Sequence, residues 1–511
     1  MLGRRFPAQN PGRLAYAIWD VRARRLFCAR DILGLKPFYY YTNGRIFLFG
    51  SELRQLFEFK ELPRKPNEGM IAEHLADEVT SREETVWEGI LRVPPAHVLV
   101  IEPGWAPRKT RYWDIDYGRK LRYGTDQEYA EHFLSVFKES VRCRLRSQGR
   151  LGVELSGGLD SSSIACVSAS LRSENPTTTP GFETFSLVFP GRDCDEAQYV
   201  ESVVSEWNLR SVLVREELKD TRWYAAQIEK CRDLADYPNG GMCVPLFKAA
   251  TDSRVRVLLN GVGGDQWFEG CSASNSSGPM AGLPRRICRF YQLCHEMGLP
   301  AALRHAGGRL RDAFTQTGAV PRWIASEFAR KTSLADRINS GGTAETVEPG
   351  VQRLRTLLDS GWTVHANEAN ERSKSFAAVD GRSPFFDRRI IEFSFAIPEE
   401  QRRRKERTKV VLRNAMRGLL PEMVRNRPGK AEFGHTFCQA LAGPEARRSF
   451  SSLGLGKIGW VDPLAALRMH DRAMAAHSCG RRAAHIWPLW SIFAMEMWAE
   501  RFVSADTVTA Q

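Results

Sequence analysis

The 511-residue sequence lacks the cysteine spacing of a metal or redox site. Its 11 cysteines are scattered, without a C-x-x-C pair and without a set of zinc ligands. An odd number of cysteines without such spacing is typical of free thiols in a reducing compartment. The sequence therefore predicts a cytoplasmic protein without a disulfide framework.

Long apolar runs are also missing. The first residues, 1–5, lead into no apolar stretch, so no signal peptide is expected. The apolar segment 486–502 is interrupted by Pro488, Glu496 and Glu500, and it is too polar to cross a bilayer. We interpret it as a packed terminal helix and expect no membrane partner.

Chain length and net charge limit the number of domains and the kinds of ligand that are expected. A chain of 511 residues is too long for one core, so two or three domains are expected. The composition, with 43% hydrophobic and 26% charged residues, is that of a globular protein. The net charge of +13 suits an anionic ligand such as a nucleotide, a nucleic acid or an acidic peptide.

The most informative motif is the run Leu155-Ser156-Gly157-Gly158-Leu159-Asp160-Ser161. A buried-strand pattern, 150–155, leads into it, and a helix is expected to begin at Ser162. A small-residue loop between strand and helix directs backbone amides and the positive helix end towards an anion. The two glycines allow the backbone to approach a phosphate closely. The motif therefore predicts a phosphate site.

Asp160 is the unexpected residue in this loop, because a carboxylate repels a polyphosphate. It fits if it holds a Mg²⁺ ion that bridges to the phosphates. A second buried-strand pattern, 255–259, runs into Asn260-Gly261-Val262-Gly263-Gly264-Asp265. Such turns lie together at the carboxyl ends of the strands in a doubly wound sheet. Asp160 and Asp265 are therefore predicted to share one Mg²⁺.

The pattern of elements changes along the chain. Residues 1–117 are β-rich and carry short apolar or aromatic runs separated by turn signals. From about residue 128, helical patterns alternate with strand patterns at 150–155, 184–189 and 255–259. Residues 284–380 have a helical pattern without a chemical motif. We predict an α+β domain over 1–117 and, over 128–511, an α/β domain with a doubly wound parallel sheet and helical C-terminal additions.

The SGG-x-DS run resembles the pyrophosphate-binding signature of ATP pyrophosphatases, which leave AMP on a substrate. The whole chain is similar to the asparagine synthetase family. Residues 27–40 resemble its ARD-x-x-G-x-KPLYY motif, and residues 49–53 its F-x-SE-x motif, both in the class II glutamine amidotransferase domain. Further matches lie in the synthetase part, at 184–189, 195–199, 236–238, 382–387, 408–413 and 420–421.

This resemblance implies ATP and Mg²⁺ as cofactors, with Asp160 and Asp265 as metal ligands. It implies a nucleotide site formed by Leu155, Ser156, Gly157, Gly158, Asp160, Ser161, Ser162, Val188, Gly261, Gly263 and Gly264. Lys430 matches the family's catalytic lysine, and Arg427 is a second candidate cation. Asp380 lies near the position of a family glutamate and is expected to orient the attacking amine.

The sequence also departs from the family. A class II glutaminase needs an N-terminal cysteine, whereas this sequence begins Met1-Leu2 and its first cysteine is Cys28, inside a predicted strand. We therefore expect a truncated amidotransferase-like domain, through a misplaced start codon or real loss, that does not take nitrogen from glutamine. Val262 and Gln266 replace two glutamates of the second turn, which argues against a plain asparagine synthetase.

Family members without that cysteine use an amine already on the substrate. Residues 263–268, 237–239 and 384–389 are similar to motifs of lasso-peptide macrolactam synthetases. We therefore predict a macrolactam (isopeptide) cyclase that acts on a small peptide, either a leader-bearing precursor or its core. A leader-binding protein and a protease are its expected partners.

Several alternatives stay open. One is an asparagine synthetase that uses free ammonia or a partner's glutaminase, and another is a β-lactam-synthetase-like cyclase. A tRNA-modifying ATP pyrophosphatase suits the basic charge, but residues 1–117 and the missing C-x-x-C pair argue against it, so nucleic acid is not an expected partner. Asp160, Asp265 and Lys430 argue against a non-catalytic scaffold.

Overall fold

A computed structural model of the chain describes residues 12–104, 106–177, 179–270, 320–339 and 348–503. Its N-terminal region contains two antiparallel sheets, with strand orders β1-β2-β6-β7 and β4-β3-β5. The elements are β1 (Ala15–Asp20), β2 (Arg25–Arg30), β3 (Tyr39–Thr42), β4 (Phe47–Gly50), α1 (Leu53–Leu56), α2 (Glu68–Leu75), β5 (Ile90–Arg92), β6 (His97–Ile101) and β7 (Arg108–Arg111). The β-rich pattern of the sequence is therefore confirmed.

A five-stranded parallel sheet organises the rest of the chain. Its strands are β8 (Arg150–Glu154), β9 (Phe182–Val188), β10 (Ser211–Arg215), β11 (Val255–Leu259) and β12 (Asp380–Arg382). Their order is β10-β9-β8-β11-β12, and every neighbouring pair is parallel. The predicted doubly wound α/β sheet is confirmed. The direction of winding reverses between β8 and β11, and ligands bind at such a point.

Helices cover this sheet. Those before β8, between the first four strands and just after β11 are α3 (Asp126–Arg144), α4 (Leu159–Glu174), α5 (Ala197–Trp207), α6 (Thr221–Cys231), α7 (Pro238–Gly241), α8 (Val244–Asp252) and α9 (Gly264–Phe268). Helix α3 begins in a capping box, in which Thr125 and Glu128 satisfy each other's backbone amides. Its buried Phe133 and Phe137 pack in one hydrophobic cluster with Val153 of β8.

The remaining elements are mostly short helices. They are α10 (Ser326–Lys331), α11 (Leu334–Asn339), α12 (Pro349–Asp359), α13 (Gly361–Phe376), α14 (Arg388–Ala396), α15 (Glu399–Arg402), β13 (Arg403–Arg404), β14 (Arg407–Thr408), α16 (Val410–Ala415), α17 (Glu422–Arg425), α18 (Gly434–Ala442), α19 (Pro444–Ser451), α20 (Gly454–Lys457), α21 (Pro463–Ser478) and α22 (Ile486–Phe502). The predicted helical stretch 284–380 is helical over most of 326–376, while 284–319 and 340–347 lie outside the described residues.

The terminal helix α22 occupies the predicted range 486–502 and is buried along most of its length. Trp490 and Trp498 are almost fully enclosed. Within the described residues, no helix is both long enough and apolar enough to cross a membrane. The apolar character of this segment thus reflects packing in a large core.

Buried ion pairs join the N-terminal region to helix α13. The carboxylate of Glu368 accepts hydrogen bonds from Arg30 at 2.8 Å, Arg92 at 2.7 Å and the Tyr39 hydroxyl at 2.9 Å. Removing one partner of such a pair leaves a buried charge uncompensated, at a cost of about 3–5 kcal/mol. These contacts therefore hold the two regions together.

We expect this junction to weaken in acid. His365 of α13 lies against His74 of α2, with ring centroids 4.8 Å apart and both side chains buried. Burial lowers the pKa of His365 from 6.5 to about 4, Arg92 and Arg372 add to the effect, and Asp233 opposes it. Between these two pKa values, this histidine binds a proton in the unfolded chain but not in the folded chain. The stability that the neutral, buried His365 contributes is therefore present above pH 6.5 and is lost as the pH falls towards 4.

The measurement is urea unfolding at pH 7 and pH 5. For this histidine alone, the free energy of unfolding should fall by about 2 kcal/mol between the two pH values. His365→Phe should flatten that dependence, whereas His477→Asn, at a histidine outside the junction, should not. Equal pH dependence in the wild type and His365→Phe would contradict the assignment.

Candidate active site

The turns that follow β8 and β11 lie side by side. Leu259 is paired with Val153, so both turns start at the same level of the sheet. A Cβ atom added at Gly261 would lie 2.8 Å from the backbone nitrogen of Ser161. A Cβ atom added at Gly264 would overlap the Asp160 carboxylate, 2.6 Å from its Oδ2 atom. The second turn therefore needs glycine to admit Asp160.

The loop between β8 and α4 is a preorganised anion cradle. Helix α4 begins at Leu159, three residues earlier than the sequence pattern indicates, so Asp160 lies in its first turn. A carboxylate is favourable there because of the positive helix end, and the amides of a first turn have no partner within the helix. The Ser156 and Ser161 hydroxyl oxygens lie 2.9 Å apart, which holds the loop in shape.

Lys409 lies between the two predicted metal ligands. Its Nζ atom donates to Asp160 Oδ2 and to Asp265 Oδ1, each at 2.6 Å, and its side chain is only 9% exposed. Burial alone would lower the pKa of Lys409, but the two carboxylates outweigh it and raise that pKa. Sequence reasoning did not assign this lysine to the site. Its place in the matched motif 408–413 was the available signal.

The two carboxylates differ in their electrostatics. Burial raises the pKa of Asp160, and Lys409 offsets this only in part. Burial also acts to raise the pKa of Asp265, but Lys409 and Lys430 outweigh it, so that pKa lies below its usual range. Asp160 Oδ1 is buried without a hydrogen-bond partner among the described residues. Such an oxygen is suited to bind a cation.

This donor set fits Mg²⁺ better than a metal held by protein alone. Mg²⁺ binds through one or two carboxylates together with substrate phosphates and water. Asp160 and Asp265 supply those carboxylates beside the anion cradle. The described part of the chain has no cluster of three or more His, Cys, Asp or Glu residues that could hold a metal. The residues present therefore match a metal that arrives with a nucleotide.

The segment 426–433, which follows α17, brings two more cations to the site. Lys430 Nζ donates to Asp265 Oδ2, and the lysine side chain is 75% exposed. Arg427 pairs with Glu196, and its guanidinium lies over the Tyr199 ring, 4.4 Å from the centroid. Both residues proposed from the sequence thus lie beside the two turns.

Asp380 lies apart from this cluster. It begins β12, level with Val257 rather than with the carboxyl end of the sheet. Its carboxylate lies 3.2 Å from Lys36 Nζ, 2.8 Å from Arg382 Nε and 3.6 Å from Arg13 Nη1. Its role in orienting an amine stays a prediction.

The other predicted nucleotide-site residues follow strand ends. Val188 ends β9 and is buried. Leu155 follows β8, and its amide donates to the Phe185 carbonyl at 2.9 Å. Gly263 caps α9 with a φ of +108°, a conformation that favours glycine. These positions all lie at the carboxyl edge of the parallel sheet, where a nucleotide is expected.

Gly264→Ala should lower activity about tenfold or more, because the new methyl group displaces the Asp160 carboxylate from Lys409 and from any metal. The measurement is the Mg²⁺ dependence of ATP–pyrophosphate exchange, which should shift to higher Mg²⁺ concentration. Gly240→Ala is a control, since no described atom lies within 4 Å of a Cβ atom added there and its φ is not positive. An unchanged Mg²⁺ dependence in Gly264→Ala would show that the contact is unimportant.

Comparison with known proteins identifies the family of the chain. Residues 132–500 match the family model described as asparagine synthase, and residues 1–113 match that of a glutamine amidotransferase domain. The chain belongs to the asparagine synthase family. The family resemblance expected from the sequence is therefore confirmed.

Relatives named as asparagine synthetases are distant in sequence. Glutamine-hydrolyzing asparagine synthetase 3 of Bacillus subtilis is 24% identical over 440 residues, which cover 80% of this chain and 65% of the relative. A putative asparagine synthetase of Mycobacterium tuberculosis is 25% identical over 535 residues, which cover 97% of this chain and 78% of the relative. Amidase chry2 of Gibberella zeae is 24% identical over 485 residues, covering 84% and 71%. The chain thus spans just under two thirds of the Bacillus relative.

Proposed function

We propose that this chain adenylates a carboxylate with ATP, releases pyrophosphate and then joins the activated carbonyl to an amine. The observation that supports this most is the pairing of Asp160 and Asp265 around Lys409, directly beside the serine- and glycine-rich cradle. Carboxylates for a metal and amides for phosphates then meet at one point of the sheet. Release of pyrophosphate needs both the carboxylates that would hold a metal and the amides that bind phosphate oxygens.

Activation is needed because a free carboxylate would have to expel oxide. Asp160 and Asp265 would hold Mg²⁺, which when bound neutralises charge on the pyrophosphate leaving group. The first-turn amides of α4 bind phosphate oxygens, and Ser156 and Ser161 keep that loop in place. Lys409 adds a fixed cation at the same point. These groups are arranged before the reaction, which is what makes them effective.

Lys430 is proposed to act on the second half of the reaction. Negative charge develops on the carbonyl oxygen when the amine attacks, and a nearby ammonium group stabilises it. Lys430 is exposed and forms an ion pair with Asp265, so it can reach a substrate that enters from solvent. If the amine belongs to the same molecule as the activated carbonyl, their proximity supplies much of the remaining rate acceleration.

We propose a macrolactam cyclase of lasso-peptide type as the specific activity, with a precursor peptide as substrate and a leader-binding protein and protease as partners in the cytoplasm. The resemblance of residues 263–268 supports it. Cys28 lies fully buried in β2, and burial raises the pKa of its thiol to about 12, so this cysteine is not suited to act as a nucleophile. In this proposal the attacking amine belongs to the substrate.

Asparagine formation, with free ammonia or a partner's glutaminase as the nitrogen source, is the second candidate, because relatives named glutamine-hydrolyzing asparagine synthetases match this chain. Val262 and Gln266 argue against it, since the second turn lacks the two glutamates expected for that chemistry. A β-lactam-forming ring closure would use the same adenylation site. The substrate decides between these reactions.

The test is ATP–pyrophosphate exchange with a precursor peptide encoded next to the gene, compared with aspartate plus ammonium. The cyclase proposal expects peptide-dependent exchange and a product lighter by one water. Asparagine formation without any reaction of the peptide would support the second candidate. No exchange with either substrate would reject the ligase function.

A further inference from the structure

The segment that carries Lys430 is fastened at its start to Glu196. This glutamate is buried just before α5 and forms an ion pair with Arg427. The same guanidinium covers the Tyr199 ring, and its Nη1 atom lies 3.5 Å from the Gly157 carbonyl oxygen. Arg427 therefore touches both the start of α5 and the phosphate cradle.

The start of α5 supports the cradle directly. Gly157 has a φ of +76°, and a Cβ atom there would lie 2.8 Å from Tyr199 Cβ and 3.0 Å from the Glu196 carbonyl oxygen. Asp195 accepts hydrogen bonds from the amides of Phe189 at 3.2 Å and Ala197 at 3.3 Å. Residues 195–199 thus form a platform fixed to the end of β9.

Separate contacts hold the far end of the segment. The Phe433 ring packs against Phe189 with centroids 5.1 Å apart. His435 Nε2 lies 3.0 Å from Glu216 Oε2. At the start of the segment, Arg413 Nη2 also donates to the Arg427 carbonyl oxygen, at 3.1 Å. With both ends held, Lys430 lies between two anchors.

We infer that Glu196 is a positioning residue: through Arg427 it fastens the Lys430 segment to the phosphate cradle, so that the Lys430 ammonium stays beside Asp265 when the amine attacks. This inference rests on the proposed function for the role of Lys430. Loss of Glu196 leaves the largely buried Arg427 without its carboxylate, and the start of the segment, then held by the Arg413 contact, detaches more often. The Phe433 anchor remains, so the fold is kept.

The first experiment needs no substrate. Trypsin cleaves after Lys430, and cleavage of the folded protein reports how often the segment detaches. Glu196→Gln should be cleaved there about tenfold faster than the wild type. Glu196→Asp, which keeps the charge but shortens the reach, should be intermediate. Glu88→Gln is the matched control, because it makes the same change in an exposed pair with Lys65, outside the Lys430 segment.

The second experiment separates positioning from general damage. Glu196→Gln should keep ATP–pyrophosphate exchange and the KM for ATP within about twofold, while kcat for amide formation falls about tenfold. Unchanged cleavage after Lys430 in Glu196→Gln would overturn the inference. So would equal losses in Glu196→Asp and Glu196→Gln, or equal losses in exchange and amide formation. Wild-type protein that shows no exchange would instead reject the proposed function, and the cleavage result would still stand.

Discussion

Lys430→Ala is expected to lose amide formation by about 100- to 1,000-fold while it folds and binds ATP normally. The side chain is 75% exposed and contributes no buried apolar surface, so stability should be almost unchanged. Its ammonium is the most solvent-accessible of the cations around Asp265, and it is the one proposed to stabilise charge on the reacting carbonyl. The measurement is product formation with the peptide substrate, beside thermal melting of both proteins.

Two further variants define this prediction. Lys430→Arg should restore little activity, because a planar guanidinium does not replace a compact ammonium. Lys405→Ala changes another exposed lysine, in the hairpin between β13 and β14, and should behave like the wild type. Full activity in Lys430→Ala would reject its role and move the assignment to Arg427.

Asp265→Asn and Asp160→Asn are each expected to abolish ATP–pyrophosphate exchange. Mg²⁺ would lose one of its two carboxylates in either variant, and charge on pyrophosphate would stay unneutralised. Each single variant should fold, because Lys409 keeps one carboxylate partner. The measurement is exchange over a range of Mg²⁺ concentrations, with urea unfolding in parallel.

The double variant tests the buried contact itself. Without both carboxylates, Lys409 is a buried cation without a counter-charge, and stability should fall by about 3–5 kcal/mol. Asp252→Asn breaks an exposed pair with Lys248 and should change stability by less than about 1 kcal/mol. Near-normal exchange in Asp265→Asn would show that the two aspartates do not share a metal.

Local patterns predicted much of the fold. Three strands of the parallel sheet and helix α22 were visible because buried strands and long packed helices are apolar along their length. Strands β10 and β12 were missed. Strand β10 lies at the sheet edge with two of its five side chains exposed and none fully buried, and β12 is the three-residue sequence Asp-Gly-Arg, which has no strand pattern. Pairing with β9 and β11 makes them strands.

The sequence by itself determined the chemistry of the two turns, because glycines, serines and aspartates act through their own backbone and short side chains. The cations around these turns were decided only by the tertiary structure. Lys409 is 249 positions from Asp160 and 144 from Asp265, and only the sheet order brings it between them. Asp380 also lies near a family motif in the sequence. Its pairing with Val257 of β11, however, places it at the start of β12 and not at the carboxyl end of the sheet. Long-range contacts depend on topology, which residue patterns within one segment do not contain.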